Sequence, residues 1–376
     1  MTSTPRVALV HDWLTGMRGG EHVLEAIAEL FPRAELFSLI GYPEKLSPRL
    51  RSLPLHLSWL ARLPQVRERY RHYLPLMPAA VASLDVSGFD LVLSSSHCVA
   101  KGVRKRADAV HVSYIHAPMR YMWDRFDEYF GRGRVSTPIR AAALALRPAF
   151  RAWDRRVSQA DRVNHLIGNS RFIATQIEAA YGRPAQVIYP FAHLERFQAA
   201  RQPEDFYLIV SAFAPNKRVD LAIEAFNRLR LPLWIVGDGQ DADKLKRLAG
   251  PTIRFFGSVS NEELGSYYAR ARAFIFPGLD DSGITPLEAM AAGCPVIAYG
   301  AGGALETVTE QTGLFFRAQT PEALMEAVGQ LERGSLQFAE TACRTRAHGF
   351  SKARFQHEYL AAVTLASAAA GKNWFK

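Results

Sequence analysis

The stretch AFIFPGLDDSGITPLEAMAAGCPVIAYGAGGALE, residues 273–306, decides the fold of this chain. Its apolar residues 274–276, followed by turn residues, predict a buried strand. Pro286 suits the first position of a helix, where its missing N–H costs nothing, and Thr285 is the predicted N-cap. Gly293 ends this helix, and the apolar run behind it predicts another strand. The stretch therefore predicts a strand–loop–helix–strand unit of an α/β sheet.

The loop of this unit lies where open α/β sheets bind ligands, between a strand's carboxyl end and a helix N-terminus. We expect the N–H groups of Gly283, Ile284 and Thr285 to hold a phosphate. Asp280 and Glu288 flank that loop, and ionised carboxylates accept several hydrogen bonds, as sugar hydroxyls require. The alternative is that Glu288 only stabilises its helix and Asp280 lies on the surface.

The same run resembles the signature of family 4 glycosyltransferases, which are retaining, nucleotide-sugar-dependent enzymes of the GT-B fold. The resemblance rests on an acid and a Glu separated by seven residues, on Gly283 and Pro286, and on the Glu-Ala-Met-Ala run. It implies that Glu288 holds the ribose hydroxyls of the donor and that Asp280 lies close to the transferred sugar, both as catalytic residues. Ser282 is an expected donor contact, although the family usually has an aromatic residue there and Glu at the position of Asp280.

The length of the chain fits two domains of ordinary size, and its few scattered cysteines fit a reducing, cytoplasmic location. The chain has 376 residues, 48% of them hydrophobic, which is enough for two buried cores. Its three cysteines are scattered, so neither a metal site nor a disulfide framework is expected. The first residues lack the apolar core of a signal peptide, and no apolar run approaches the roughly 20 residues that span a bilayer.

The positive charge is one-sided. Residues 1–200 hold 27 Lys and Arg against 17 Asp and Glu, whereas residues 201–376 hold 19 of each. Such an imbalance predicts an anionic partner, either phosphate groups or an acidic membrane surface. Nucleic acid is not an expected partner, because no recognised binding module accompanies the basic residues.

Two segments carry most of this basic character. Residues 51–76 mix arginines with leucines, tryptophan and tyrosines, which suits either the interface of an anionic membrane or packing on the domain core. Residues 132–156 hold seven arginines and predict a basic helix that could contact lipid headgroups. Both alternatives stay open for the first segment, because its prolines interrupt any continuous helix.

The first predicted strand, residues 6–10, is followed by the Gly-rich loop HDWLTGMRGG and then a helix. A Gly-rich loop lets backbone N–H groups approach a phosphate or carbohydrate closely. By similarity to the family, whose equivalent loop faces the cleft, Gly19 and Gly20 are expected to contact the donor or the acceptor.

The run YIHAPMRYMWD, residues 114–124, resembles a mannosyltransferase subgroup of family 4. His116 ends a predicted strand, and the resemblance implies a catalytic role beside the transferred sugar. Arg120 is the expected acceptor-binding residue, where it would neutralise a phosphate. It could instead pair with Asp124 four residues on.

The loop after the first strand of the second half contains Lys217 and Arg218. In the family an Arg and a Lys from this loop clamp the nucleotide diphosphate, whose negative charge grows as it leaves. Lys217 matches the Lys, Ala212 stands at the Arg position, and Arg218 offers a neighbouring charge. The family holds the base against backbone near Val259, the remaining predicted donor contact.

Together these patterns predict an α/β protein of the GT-B class, with two Rossmann-like domains facing across a cleft. The expected domains are residues 1–195, on the acceptor side, and 196–354, which bind the nucleotide sugar, with 355–376 packing back on the first. The expected activity is retaining transfer of a hexose, mannose from GDP-mannose, to a polyprenyl-diphosphate-linked or other glycan acceptor in surface polysaccharide assembly. It would occur at the inner membrane face and without a metal or further cofactor.

Three alternatives remain from the sequence. The donor could be a UDP-sugar, the enzyme could be a GT-B epimerase or phosphorylase, and the chain could bind a nucleotide sugar with little turnover. The last alternative rests on Ala212, Ser282 and the short side chain of Asp280.

Overall fold

A computed structural model describes residues 4–197, 199–334 and 336–375. It divides the chain into two compact units. Unit 1 runs to Tyr189 and includes the segment from Phe355 onward, and unit 2 is Pro190–Arg354. The division at Tyr189 falls a few residues before the predicted domain junction at 195.

Unit 1 is built on a seven-stranded sheet in the order β3-β2-β1-β4-β5-β6-β7, in which all neighbouring strands are parallel. Its strands are β1 (Val7–His11), β2 (Glu35–Ser38), β3 (Leu55–Leu57), β4 (Leu91–Ser96), β5 (Val110–Ile115), β6 (His165–Gly168) and β7 (Gln186–Val187). Its helices are α1 (Gly19–Leu30), α2 (Pro48–Arg51), α3 (Val66–Arg69), α4 (Met77–Ala82), α5 (Phe126–Phe130), α6 (Thr137–Val157) and α7 (Arg171–Tyr181).

Unit 2 repeats this plan with a six-stranded parallel sheet in the order β10-β9-β8-β11-β12-β13. Its strands are β8 (Tyr207–Val210), β9 (Leu233–Val236), β10 (Ile253–Gly257), β11 (Phe274–Phe276), β12 (Val296–Tyr299) and β13 (Gly313–Phe316). Its helices are α8 (Val219–Leu229), α9 (Ala242–Leu248), α10 (Asn261–Arg270), α11 (Ile284–Ala291), α12 (Ala304–Thr307), α13 (Pro321–Glu332) and α14 (Glu340–His348). The last helix of the chain is α15 (Lys352–Ala369).

The predicted α/β class with two Rossmann-like sheets is confirmed. In each sheet the strand order reverses once, between β1 and β4 in unit 1 and between β8 and β11 in unit 2. At such a switch point the connections leave toward opposite faces, so a crevice opens beyond the carboxyl ends of the two strands. The loops after β1, β4, β8 and β11 therefore occupy the expected ligand-binding positions.

The central strands are apolar almost throughout because helices cover both faces of a parallel sheet. Every residue of β1 and β4 is buried. Most of α15 belongs to unit 1, where the rings of Phe355 and Tyr359 lie 5.7 and 6.4 Å from the ring of Tyr114 on β5. Gln356 donates from Nε2 to the carbonyl oxygen of Ala26 on α1 at 3.0 Å.

The helix that follows β11 begins earlier than the sequence predicts. Gly283 is its N-cap, with a left-handed φ of 66° that a residue bearing a side chain would adopt only with strain, and Ile284 is the first helical residue. The expectation of Thr285 as N-cap is therefore wrong. Pro286 becomes the third helical residue, where its missing N–H still costs no intrahelical bond.

The predicted basic helix is α6, and its arginines are largely engaged within unit 1. Arg147 and Arg151 each donate to the carbonyl oxygens of Met122 and Trp123, at 2.8–3.0 Å. These arginines thereby hold the chain that follows β5. Engaged guanidinium groups are less available to lipid headgroups than the sequence suggests.

Residues 51–76 form short pieces, with 3-10 turns at Trp59–Arg62 and Tyr70–Leu76 around α3. Leu60 and Val66 of this segment are buried in the core. Leu57, Trp59 and Leu76, in contrast, are 39–41% exposed. Some apolar side chains of this segment therefore pack in the core, and others are exposed at the surface. Across the described residues, no helix combines the length and apolar character needed to cross a bilayer.

A buried ion pair joins the loop after β4 to α6. Lys101 Nζ lies 2.6 Å from Asp154 Oδ1, and both side chains are fully buried. Lys101 also donates to the carbonyl oxygen of Cys98 at 2.9 Å, while Trp123 Nε1 and the Tyr181 hydroxyl donate to Asp154. Removing one partner of such a pair leaves an uncompensated buried charge.

We expect Lys101→Met to lower the free energy of unfolding by about 3–5 kcal/mol, because Asp154 would keep a buried, unpaired charge. Urea unfolding followed by tryptophan fluorescence measures this, since Trp123 contacts Asp154. The control is Arg156→Met on the same helix, which breaks an exposed pair with Asp161 and should cost about 1 kcal/mol or less. Equal losses in the two variants would contradict the prediction.

Candidate functional site

At the switch point of unit 2, a lysine and an aspartate join the loops that follow β8 and β11. Lys217 Nζ donates to Asp280 Oδ2 at 2.6 Å, and both side chains are partly exposed. The two loops pack closely here, because a Cβ on Gly278 would lie 2.7 Å from the Cα of Lys217. The structure thus brings together two predicted site residues that are 63 positions apart in sequence.

The same loop leads into the N-terminus of α11, where Gly283, Ile284 and Thr285 lie as predicted for an anion contact. No backbone hydrogen bond within the described ranges uses the N–H groups of these three residues. Ser282 precedes them and packs against the loop after β12, since a Cβ on Gly303 would lie 2.6 Å from the Ser282 Cα. Free N–H groups, the helix dipole and the Lys217 ammonium together favour a phosphate at this edge.

Glu288 lies on α11 one turn beyond those amides and accepts a hydrogen bond from the hydroxyl of Tyr268 at 3.1 Å. Burial raises the pKa of Glu288 to about 7, and the Tyr268 hydroxyl and the positive charge of Arg196 act against that rise. The carboxyl group is therefore near the midpoint of its titration at neutral pH. Sequence reasoning missed Tyr268 and Arg196, because neither belongs to the motif.

Arg218 and Val259 are the remaining predicted donor contacts in unit 2. Arg218 has a left-handed φ of 49°, and its guanidinium donates to Asp220 Oδ1 at 3.1 Å and to Gln319 Oε1 at 3.4 Å. Its charge is therefore engaged beside the loop and not directed at Asp280. Val259 is half-buried between β10 and α10, and Ala212 is exposed and brings no cation.

At the switch point of unit 1, Asp12 binds the loop that follows β4. Its buried carboxylate accepts four backbone hydrogen bonds, from the N–H groups of His97, Cys98, Val99 and Ala100, at 2.6–3.0 Å. Burial alone would raise the pKa of Asp12, but the neighbouring imidazoles and the amide bonds hold it below its usual value. Asp12 therefore stays ionised and fixes this loop.

Three histidines surround Asp12 at the carboxyl ends of β1, β4 and β5. The ring of His11 lies 5.7 Å from that of His97 and 6.5 Å from that of His116. Burial lowers the pKa of His97 to about 4 and that of His116 well below its ordinary value. His116 Nε2 is in hydrogen-bond contact with Ser95 Oγ at 2.8 Å. His97 and His116 are therefore neutral at pH 7.

Two other predicted residues lie beside this cluster. A Cβ on Gly20 would lie 3.6 Å from both His11 and His116, so the Gly-rich loop packs directly against the imidazoles. The charge of Arg120 is close enough to lower the pKa of His97 and of His116. Gly19 is exposed and begins α1.

Sequence reasoning did not single out His11, Asp12 or His97. Asp12 and His97 are neighbours only because β1 and β4 pair in register, with His11 opposite Ser95. Among the residues that the structure describes, no group of three or more His, Cys, Asp or Glu side chains is arranged to hold a metal ion.

Comparison with known proteins supports a common origin for the part of the chain that includes the Lys217–Asp280 pair. Residues 192–347 match the family described as glycosyl transferases group 1. A GDP-mannose-dependent alpha-(1-6)-phosphatidylinositol monomannoside mannosyltransferase of Mycobacterium tuberculosis is 29% identical over 238 residues, which cover 54% of this chain and 61% of that protein. The protein of the same name from Mycolicibacterium smegmatis is 31% identical, with 52% and 60% covered. The chain thus spans about 60% of the length of these two relatives.

Solved structures extend the likeness to almost the whole chain. Sucrose-phosphate synthase from Thermosynechococcus elongatus superposes with a TM-score of 0.71 at 17% identity, over 97% of this chain and 99% of that one. Anabaena HepE in complex with UDP gives a TM-score of 0.69 at 16% identity, over 96% and 100%. At these identities the likeness shows the fold alone. The predicted GT-B class and the resemblance to family 4 glycosyltransferases are both confirmed.

We expect Tyr268→Phe to raise the pKa of Glu288 by about 1 above its value of about 7, because the lost hydroxyl donates to the carboxylate. A pH titration of the carboxyl carbon by NMR measures this change. Tyr299→Phe is the control, since the Tyr299 ring packs against Phe316 away from Glu288. An unchanged titration in Tyr268→Phe would contradict the assigned contact.

The same pKa has a consequence for stability. Because the folded-state pKa of about 7 exceeds the ordinary value of 4.5, the folded chain binds more protons than the unfolded chain between these values. The contribution of Glu288 to stability therefore decreases as the pH rises from 4.5 to about 7, and Glu288→Gln should remove this component from the pH profile of urea unfolding.

Proposed function

Because residues 192–347 match the group 1 glycosyl transferases, we propose that this chain is a retaining glycosyltransferase that moves a hexose from a nucleotide sugar to a glycan acceptor. The donor in this proposal is GDP-mannose, and the acceptor is a polyprenyl-diphosphate-linked or other glycan of surface polysaccharide assembly. The observation that carries the proposal is the Lys217–Asp280 contact at the switch point of unit 2, next to the free amides of α11.

Each residue of that edge has a chemical task in the proposal. The ammonium of Lys217 and the amides of Gly283 to Thr285 stabilise the negative charge that develops on the leaving diphosphate. Such fixed donors perform the task that a metal ion performs in other phosphate sites. Glu288 accepts hydrogen bonds from the ribose hydroxyls, for which its carboxyl group must be ionised.

Asp280 and His116 are proposed to lie beside the transferred sugar. Lys217 holds Asp280 in the structure described here, so a diphosphate that binds Lys217 competes for the same ammonium. Exchange of that contact would release Asp280 toward the sugar. A retaining reaction in which the leaving phosphate itself takes the acceptor's proton requires no further carboxylate at the reaction centre.

The names of the relatives favour a guanine nucleotide and mannose. Both mannosyltransferases reported above are GDP-mannose-dependent by name. The UDP complex of Anabaena HepE shares only the fold at 16% identity, so a UDP-sugar is the second candidate.

We expect the chain to bind GDP more tightly than UDP or ADP, and Lys217→Ala to weaken GDP binding by about 2 kcal/mol, or roughly thirtyfold. Isothermal titration calorimetry with GDP and with guanosine measures the loss. The affinity for guanosine should stay unchanged, because Lys217 acts on the diphosphate.

The matched control is Lys246→Ala on the exposed face of α9, which should change neither affinity. Failure of the unchanged chain to bind any of the three nucleotides would exclude the glycosyltransferase proposal. Binding without transfer to any glycan would favour a nucleotide-sugar-binding protein.

The acceptor side of the proposal rests on unit 1. All of the excess positive charge lies in residues 1–200, and Leu57, Trp59 and Leu76 expose apolar surface in an arginine-rich segment. Arginines with exposed aromatic and aliphatic side chains suit an anionic lipid surface. We therefore propose that the protein acts at the inner membrane face, where a lipid-linked acceptor would be found.

At low salt the chain should sediment together with phosphatidylglycerol vesicles. Replacement of Leu57, Trp59 and Leu76 by Ser should weaken this association by about tenfold. Leu248→Ser with Leu305→Ser is the control, since these exposed leucines lie in unit 2. Equal association of both variants with the vesicles would reject this surface, and uncharged phosphatidylcholine vesicles test the role of charge.

A further inference from the structure

His97 is a partly exposed histidine at the switch point of unit 1, and none of the sequence motifs includes it. It is the first residue after β4, and 25% of its side chain is accessible, whereas the side chain of Asp12 is fully buried. Its backbone N–H donates to Asp12 Oδ2 at 2.7 Å, and its ring Nδ1 lies 3.3 Å from the same oxygen. One carboxylate therefore binds the backbone of His97 and lies close to its ring.

This arrangement favours one of the two tautomers of the imidazole. Asp12 is ionised, so the nitrogen that faces it, Nδ1, is the protonated one. Burial keeps the imidazole neutral, with a pKa of about 4, so Nε2 is left as an acceptor. Among the described residues no hydrogen bond to Nε2 is present, and Nε2 is the ring nitrogen that is not paired with Asp12.

The ring is held in place by a second contact. Trp13, from the loop after β1, packs at 4.4 Å against His97, with the two rings nearly perpendicular at 85°. The indole and the Asp12 carboxylate thus restrict the imidazole on two sides. A restricted ring loses little entropy when it binds a ligand, which favours a role in recognition.

His97 also lies next to the residue predicted to approach the transferred sugar. The ring centroids of His97 and His116 are 6.2 Å apart. A sugar that reaches His116 therefore brings its hydroxyl groups within reach of His97. Sugar hydroxyls are donors, and a neutral imidazole nitrogen accepts from them without adding charge.

We propose that His97 binds a sugar hydroxyl through Nε2 and that Asp12 is the positioning residue that orients its ring. The inference rests on the proposed glycosyl transfer and adds a residue to its site. The hydroxyl belongs either to the hexose of the nucleotide sugar or to the glycan acceptor, and the two sources are separated by measurement.

The test compares His97→Leu, which removes the acceptor, with His97→Gln, whose amide oxygen retains one. His165→Leu is the control, because His165 begins β6 and its ring contacts Gln186 outside the cluster. Calorimetry with GDP and with GDP-mannose is combined with steady-state transfer to octyl α-mannoside and with melting temperatures.

His97→Leu should leave the Kd of GDP unchanged, because GDP carries no hexose. A roughly tenfold increase in the Kd of GDP-mannose identifies the hexose hydroxyl, and a roughly tenfold increase in the KM of the mannoside alone identifies the acceptor hydroxyl. His97→Gln should recover part of the loss, and His165→Leu should show none.

Unchanged values of all three constants in a folded His97→Leu variant would overturn the proposal. A second readout needs no substrate, because ¹⁵N NMR of histidine in the intact chain reports the tautomer, and the spectrum of His97→Gln identifies the signals of His97. Nδ1 should be protonated and Nε2 unprotonated at pH 7, and an imidazolium or the opposite tautomer would refute the role. Failure of the proposed function looks different, since the unchanged chain would then bind neither GDP nor GDP-mannose.

Discussion

The carboxylate of Asp12 is the interaction on which the site of unit 1 depends. Four amides of the loop after β4 converge on its two oxygen atoms, and those amides would otherwise be unsatisfied donors at the end of a buried strand. The same loop continues into Lys101, whose ammonium is held by Asp154 of α6. Two buried acids therefore fix the loop at both ends, and the position of His97 follows from that anchoring. At the switch point of unit 2 an aspartate also connects two loops, because Asp280, after β11, contacts Lys217, after β8.

The two edges differ in charge, and this difference suits different ligands. In unit 1 burial keeps His97 and His116 neutral, so these two imidazoles offer polar contacts without charge, which suits hydroxyl groups. In unit 2 the edge combines an ammonium with free amides at the start of α11, which suits an anion. A nucleotide sugar and a glycan acceptor together present both kinds of group. The buried Glu288, with its pKa of about 7, is a titrating group within the anionic-ligand edge.

The basic character of the first half has a structural component. Arg147 and Arg151 donate to the carbonyl oxygens of Met122 and Trp123, and so orient the chain that follows His116. Their guanidinium groups satisfy carbonyl oxygens that no strand or helix engages. A net charge of +10 therefore overstates the charge available to a partner. The exposed apolar side chains of residues 51–76 are the more specific indication of a lipid surface.

The sequence by itself determined the alternation of strands and helices, because apolar runs, glycines and prolines act locally, and it determined the identity of the motif from Asp280 to Glu288. It placed the start of α11 two residues late, since only the left-handed backbone of Gly283 shows where the turn ends. Contacts between distant residues were decided by tertiary structure alone. Lys217 meets Asp280 and Asp12 meets His97 because parallel strands bring their carboxyl ends to one edge, whatever their separation along the chain. Tyr268 meets Glu288 because α10 and α11 pack together. His97 belongs to none of the sequence motifs, so its contact with Asp12 became visible only once that edge was assembled.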